Sequence, residues 1–236
     1  MEQKIVAIIQ SRYKSTRLPG KAVLKIEEKP LLTHVIERAK KIEGIDKLCV
    51  ATGEELEDFA IVEIARRYCD VFQGSTYDVL DRYIKAARQY KADYIMRITG
   101  DNPFICFRSA TKMISMALEN GYDFLDASGL PLGCGVEIVK YDALLKVFNQ
   151  PHKWSHKEHV TIFIKENKDK FLTGSCHFHV DNPYPKLRLT VDYREDFELA
   201  KTIYNFLYRG TPFDLIEVID LLKEKPDLLK INEKYA

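Results

Sequence analysis

The sequence lacks several features that would have narrowed its function. It has no long apolar run. The first hydrophobic stretch, residues 5–9, is far below the roughly 20 residues of a membrane-spanning helix. Glu2 follows Met1, and no basic, apolar leader of the secretory kind is visible. It has no C-x-x-C pair. Its five cysteines, Cys49, Cys69, Cys106, Cys134 and Cys176, are odd in number and scattered, which argues against a disulfide framework and for a reduced, cytoplasmic protein. It has no internal repeat and no low-complexity segment. It has little net charge, since 36 Lys and Arg face 35 Asp and Glu. That balance gives no global pull toward nucleic acid or membrane. The remainder is ordinary: 46% of the 236 residues are hydrophobic and 30% charged. This suffices for a real core in one large domain.

Hydrophobic periodicity predicts an alternation. Residues 4–9 are short, apolar and β-branched, as in a buried strand. Pro30 opens an amphipathic helix to residue 42, with Leu31, Leu32, Val35, Ile36 and Ala39 on one face. Strands are expected at 47–52, 70–72, 93–98 and 122–126. Helices are expected at 56–68, 77–90 and 108–120. This order implies an α/β, Rossmann-like sheet, mostly parallel, with helices on both faces. The second half is less regular. It suggests strands at 136–139 and 186–191, a hairpin strand at 171–180, and helices at 141–149, 156–167, 195–208 and 213–223. Residues from about 130 to 185 read as an insertion packed away from the main sheet, forming an acceptor pocket and a possible dimer arm within a single domain, 1–236.

One absence is local. No acidic residue occurs from Gln3 to Ile26, while Lys4, Arg12, Lys14, Arg17, Lys21 and Lys25 do. The centre of this span follows the first strand, and in an open α/β sheet that loop lies where ligands bind. Ser11, Ser15, Thr16 and Gly20 let backbone N–H groups approach an anion, and Arg12 and Arg17 can fork onto phosphate oxygens. A triphosphate carries about four negative charges, which suits this density of cations. The alternative is a solvated basic loop paired with acids elsewhere. The P-loop is excluded, because Ser15 stands where its first glycine belongs and Ala22 follows Lys21; the G-x-G-x-x-G fingerprint is absent as well.

The run Gln10-Ser11-Arg12-Tyr13-Lys14-Ser15-Thr16-Arg17-Leu18-Pro19-Gly20-Lys21 resembles the Q-[AS]-R-x-x-S-T-R-L-P-G-K signature of the spore-coat polysaccharide type of cytidylyltransferase. That family is similar to the CMP-KDO and CMP-acylneuraminate synthetases. Phe72-Gln73-Gly74 with Asp78-Val79-Leu80-Asp81-Arg82-Tyr83 resembles its F-x-G-x-x-x-D-V-L-x-R-[YF]. Arg97-Ile98-Thr99-Gly100-Asp101-Asn102-Pro103 resembles R-[LI]-T-G-D-x-P. Gly135-Val136-Glu137, Glu158-His159-Val160-Thr161 and Arg188-Leu189-Thr190-Val191-Asp192 with Glu195-Asp196 match its later motifs. The resemblance runs from the first strand to about Leu207.

Asp101 and Asp192 each follow an expected strand. If both strands lie in one parallel sheet, both carboxylates reach the edge that carries the basic loop, and two hard oxygen ligands with phosphate oxygens suit Mg²⁺. The alternative has Asp101 opening a turn with Asn102-Pro103 and Asp192 capping the next helix. The resemblance implies the metal role for both. It also implies CTP as substrate, bound by Gln10, Ser11, Arg12, Ser15, Thr16, Arg17, Lys21, Thr99 and Gly100, with Thr52 and Thr99 as positional candidates for reading cytosine. Arg12, Lys21, Asp101 and Asp192 would carry catalysis. Glu137, Glu158, His159 and Arg188 would line the pocket of a small acidic, hydroxylated or phosphorylated acceptor. Surface-polysaccharide or cell-envelope biosynthesis and a homodimer are the implied setting. The alternatives are a sugar-1-phosphate nucleotidylyltransferase using another nucleotide, against which the missing G-x-G-x-R counts, and a non-catalytic nucleotide-binding domain. Gln73 and Asp78 are polar and near the expected site, or else cap the helix at 77. His156 and His159 are a weak zinc pair without an evident third ligand. Glu195 and Asp196 read as helix-capping acids.

Overall fold

The computed structural model describes residues 3–150 and 153–235. The reading made at Met1 and Glu2 lies outside these residues. The chain opens with β1 (Ile5–Gln10), which is apolar throughout its buried length because both faces are covered. Ile5, Ala7 and Ile9 enter one hydrophobic cluster, whereas Val6 and Ile8 enter the other. A tight turn at Glu27 and Glu28, both with positive φ, joins β2 (Lys25–Ile26) to β3 (Lys29–Pro30) and leads into α1 (Leu31–Ala39).

The alternation then follows as expected: β4 (Lys47–Thr52), α2 (Phe59–Ala65), β5 (Asp70–Gln73), α3 (Val79–Tyr90), β6 (Tyr94–Thr99), α4 (Phe107–Asn120) and β7 (Phe124–Ser128). The second half supplies β8 (Glu137–Lys140), α5 (Tyr141–Phe148), α6 (Trp154–Glu158), α7 (Ile162–Glu166), β9 (Thr173–His177), α8 (Arg194–Leu207) and α9 (Leu215–Glu224). The strands form a seven-stranded sheet in the order β5-β4-β1-β6-β8-β7-β9. β8 runs antiparallel to both neighbours, and the other pairs of this sheet are parallel, while β2 and β3 form a separate antiparallel pair. Helices cover both faces, and α8 and α9 bury a third cluster against Phe104, Leu187, Leu189 and Val191.

After β5 the chain crosses back over β1 to place β6 on its other side. The carboxyl ends of β1 and β6 therefore flank the point where strand order reverses, the usual crevice for a ligand. The two loops that leave them touch. Gly100 N donates to Gln10 O at 2.8 Å, and a Cβ on Gly100 would meet that oxygen at 2.9 Å, so a side chain there would part the loops.

Four sequence expectations are corrected. Residues 130–185 do not pack away from the sheet, because β8 enters between β6 and β7 and β9 extends the edge. β9 is parallel to β7, so residues 171–180 form no hairpin. The helix expected at 156–167 is two short helices, α6 and α7, broken at His159 to Thr161. Residues 186–191 form no sheet strand. They make a single bridge, Leu132 to Arg188, and their alternating Leu187, Leu189 and Val191 bury against α8 and α9 instead. Among the described residues no helix is long and apolar enough to cross a membrane.

Candidate active site

The loop after β1 is shaped from within. Gly20 adopts φ +71° and lies under the Tyr13 ring, and its N–H donates to Tyr13 O at 3.0 Å. Tyr13 N in turn donates to the buried Asp58 at 2.8 Å. This ties the loop to the helix after β4 and lays its polar residues around a cleft of about 420 Å³. Gln10, Ser11, Arg12, Ser15, Thr16, Arg17 and Lys21 line it from one side. Thr99, Gly100 and Asp101 line it from the end of β6, with Asp192 and Glu158 completing the wall.

The charges are arranged around Lys21. Its Nζ lies 2.9 Å from Asp101 Oδ2, 3.1 Å from Asp192 Oδ1 and 2.7 Å from Val191 O. Arg17 reaches Asp192 Oδ1 at 2.8 Å, and Arg188 reaches Asp192 Oδ2 at 2.7 Å. Burial alone would raise the Asp192 carboxyl, but Lys21, Arg188 and Arg17 outweigh it and hold it below its ordinary value. Arg12 pairs with Glu158 at 3.1 Å. Asp192 does not arrive on a neighbouring sheet strand. It is set beside Asp101 by one backbone bond, Val191 N to Asp101 O at 2.8 Å. Two carboxylates thus converge on one point, and a hard divalent cation that takes one or two carboxylates fits this donor set. Among the described residues no group of three or more His, Cys, Asp or Glu is gathered as a metal site, so a cation here would complete its shell from substrate and water.

Several expected site residues fall elsewhere. Thr52 is fully buried in β4, does not line the cleft, and its hydroxyl has no partner among the described residues. Arg188 is committed: it holds Asp192 and makes a two-pronged contact to Asp196, whose side chain is wholly buried. Asp196 also accepts from the N–H groups of Asp192 and Tyr193, which is the helix-start role read from sequence. Glu195 pairs with Lys234 at the surface. Asp78 accepts from Asp81 N at 2.9 Å, a cap of α3, and pairs with Lys157. His156 is buried against Glu166 and Phe163, whereas His159 is exposed at the end of α6. Glu137 lines a second cleft that meets the first at Thr99.

One lining residue was quoted in a motif without a role. Arg82, from the first turn of α3, is almost fully buried, lines the cleft, donates to Ser75 O at 2.7 Å and leaves its Nε without a partner among the described residues. A buried guanidinium with a spare donor beside a basic loop adds a further cation for an anionic ligand. Its presence in the D-V-L-x-R-[YF] motif was the available signal.

Comparison with known proteins agrees along nearly the whole chain. A family model described as cytidylyltransferase matches residues 6–225. An uncharacterized protein of Methanocaldococcus jannaschii is 37% identical over 97% of this chain and 94% of its own length. The spore coat polysaccharide biosynthesis protein SpsF of Bacillus subtilis is 32% identical over 94% and 95%. A solved cytidylyltransferase from Leptospira borgpetersenii superposes with a TM-score of 0.90 at 30% identity, covering 96% of this chain and 97% of its own. From the sheet, the cleft and these matches together, the chain belongs to the cytidylyltransferase family and is a nucleotidyltransferase.

Proposed function

We propose that the chain transfers CMP from CTP to a small acidic, hydroxylated or phosphorylated acceptor, with release of pyrophosphate. The reaction would serve surface-polysaccharide or cell-envelope biosynthesis, as the likeness to a spore coat polysaccharide biosynthesis protein supports, and we place it in the cytoplasm. The observation that carries the reading is the convergence of Asp101 and Asp192 on Lys21 inside a cleft walled by Arg12, Arg17 and Arg82.

The triphosphate lies along the loop after β1. Ser11, Ser15 and Thr16 offer hydroxyl and backbone donors, and the guanidiniums of Arg12, Arg17 and Arg82 take phosphate oxygens. An acceptor oxygen attacks the α-phosphorus in line. A new P–O bond forms as the bond to the bridging oxygen of pyrophosphate breaks, and pyrophosphate leaves with that electron pair. Lys21 and the arginines neutralise the charge that builds on the leaving group. Asp101 and Asp192 would hold a divalent cation, Mg²⁺ in this reading, which supplies further neutralisation of phosphate charge when bound. A phosphate acceptor arrives deprotonated and needs no base, whereas a hydroxyl acceptor gives up its proton to water as the P–O bond forms. Thr99 and the backbone at the end of β1 are left to read the cytosine. Glu158 and Glu137 stand on the acceptor side, together with the rest of residues 130–185. Exposed Trp154 and Leu172 in that region suit a homodimer contact, which sedimentation would test.

Thermal-shift titration with CTP, UTP, GTP and ATP in the presence of Mg²⁺ tests the substrate. CTP should raise the midpoint most. A larger shift with another nucleotide would reject CTP, and no shift with any would reject the whole reading.

A further inference from the structure

We infer that Tyr235 is a positioning residue for the nucleotide: it stacks on Tyr193 and so holds Arg17 in place for the triphosphate. The inference rests on the nucleotidyl-transfer reading above and adds to it a residue that lies outside the cleft.

The segment after α9 turns back toward the site in two short helical turns, Pro226–Ile231 and Glu233–Tyr235. Leu228, Leu229 and Ile231 pack against the cluster formed by α8 and α9. Asn232 is buried, and its amide donates to Asp196 Oδ1 at 2.9 Å and to Arg188 O at 3.2 Å. Lys234 pairs with Glu195 in the first turn of α8. These ties lay Tyr235 on Tyr193, the residue that caps α8 and directly follows Asp192. The two rings are parallel within 1°, and their centres are 3.7 Å apart.

So close a face-to-face pair sets two electron-rich faces against each other, an arrangement that aromatic rings avoid when alone. Neighbouring cations offset the repulsion. Lys234 Nζ lies 4.8 Å from the centre of the Tyr235 ring, and the guanidinium carbons of Arg17 and Arg188 lie 5.1 and 5.7 Å from the centre of Tyr193. Arg188 is committed to Asp192 and Asp196, whereas Arg17 lines the nucleotide cleft. Neither tyrosine lines that cleft, so the stack reaches a nucleotide through Arg17.

Arg17 has need of such a support. Its side chain is half exposed, and its ion pair in the cleft is with Asp192 Oδ1 at 2.8 Å. That pair opens when the guanidinium turns to a phosphate oxygen, but the contact with the ring need not. Tyr193, fixed on one face by Tyr235, thus limits the rotamers that Arg17 would otherwise lose on binding.

CTP affinity in the presence of Mg²⁺ is to be measured by calorimetry for wild type, Tyr235→Ala, Tyr235→Phe, Arg17→Met and the double variant Arg17→Met with Tyr235→Ala. Thermal denaturation confirms that each is folded, and Tyr235→Leu, which fills the space without a ring, serves in place of Tyr235→Ala should that variant not fold. Absence of CTP binding by wild type would reject the nucleotidyl-transfer reading itself. With CTP bound by wild type, Tyr235→Ala should weaken it about threefold to fivefold, the size of one exposed cation–π contact. Tyr235→Phe keeps the stack and should bind as wild type does. Arg17→Met should weaken CTP more than Tyr235→Ala does, and Tyr235→Ala should cost nothing further in that background. Unchanged affinity in Tyr235→Ala or Arg17→Met, an equal loss in Tyr235→Phe, or losses that add in the double variant would overturn the inference alone.

Discussion

Asp101 and Asp192, remote in sequence, share one ammonium: Lys21 Nζ stands 2.9 Å from the first and 3.1 Å from the second. The loop after β1 thus holds together the two loops that carry the acids. Lys21 is only 12% exposed at its side chain, so the pairing is poorly screened. Replacing Lys21 by Met leaves two half-buried carboxylates side by side. The expected loss is roughly 1–3 kcal/mol in chelator, less than for a fully buried pair. Mg²⁺ should restore more stability to Lys21→Met than to wild type. Equal Mg²⁺ responses in denaturant titrations would mean that the two acids do not share a cation site.

Arg188 makes a second, sharper case. It anchors the fully buried carboxylate of Asp196 and one oxygen of Asp192. Arg188→Ala should cost about 3–5 kcal/mol, the cost of leaving a buried charge without its partner. Chemical denaturation measures this directly. A variant of wild-type stability that loses only acceptor affinity would restore the acceptor role expected from sequence.

The Glu137 network gives a pH signature. Burial alone would raise the Glu137 carboxyl, but Arg97, Lys165 and Thr161 together hold it below its ordinary 4.5. The unfolded chain then binds this proton more tightly than the folded one. The stabilisation is complete above the ordinary value and is lost as pH falls through the depressed folded value. Melting midpoints measured from pH 7 downward should differ for wild type and Glu137→Gln above the ordinary 4.5, begin to converge below it, and meet only below the depressed folded value. Parallel curves would show that the network does not hold the carboxylate charged.

The sequence made the first half legible because each strand and helix carries its own period. β1 has alternate residues facing two clusters, and α1 keeps Leu31, Leu32, Val35, Ile36 and Ala39 buried as its spacing required. Charge alone marked the basic loop but left open a loop paired with acids elsewhere, and in the structure Arg12, Lys14, Arg17 and Lys21 each do pair with an acid while lying beside or along the cleft. Residues 186–191 misled because alternation reports burial on one side and not strand pairing: Leu187, Leu189 and Val191 alternate into the α8–α9 cluster with almost no ladder. Thr52 misled because its place at the end of β4 is right for a ligand while its side chain points into the packed interior. Arg188 read as an acceptor-pocket residue because its partners, Asp192 and Asp196, four and eight residues on, were assigned other work.

The most direct measurement is pyrophosphate release from CTP and Mg²⁺ with an acceptor panel, comparing wild type with Asp101→Asn at matched folded concentration. Wild type should release pyrophosphate, and Asp101→Asn should lose at least about a hundredfold in rate, on the scale of removing a transition-state charge contact. Its fold should survive, because Lys21 keeps Asp192 and Val191 O as partners. Equal rates in the two proteins, or no release by wild type across the panel, would contradict the account.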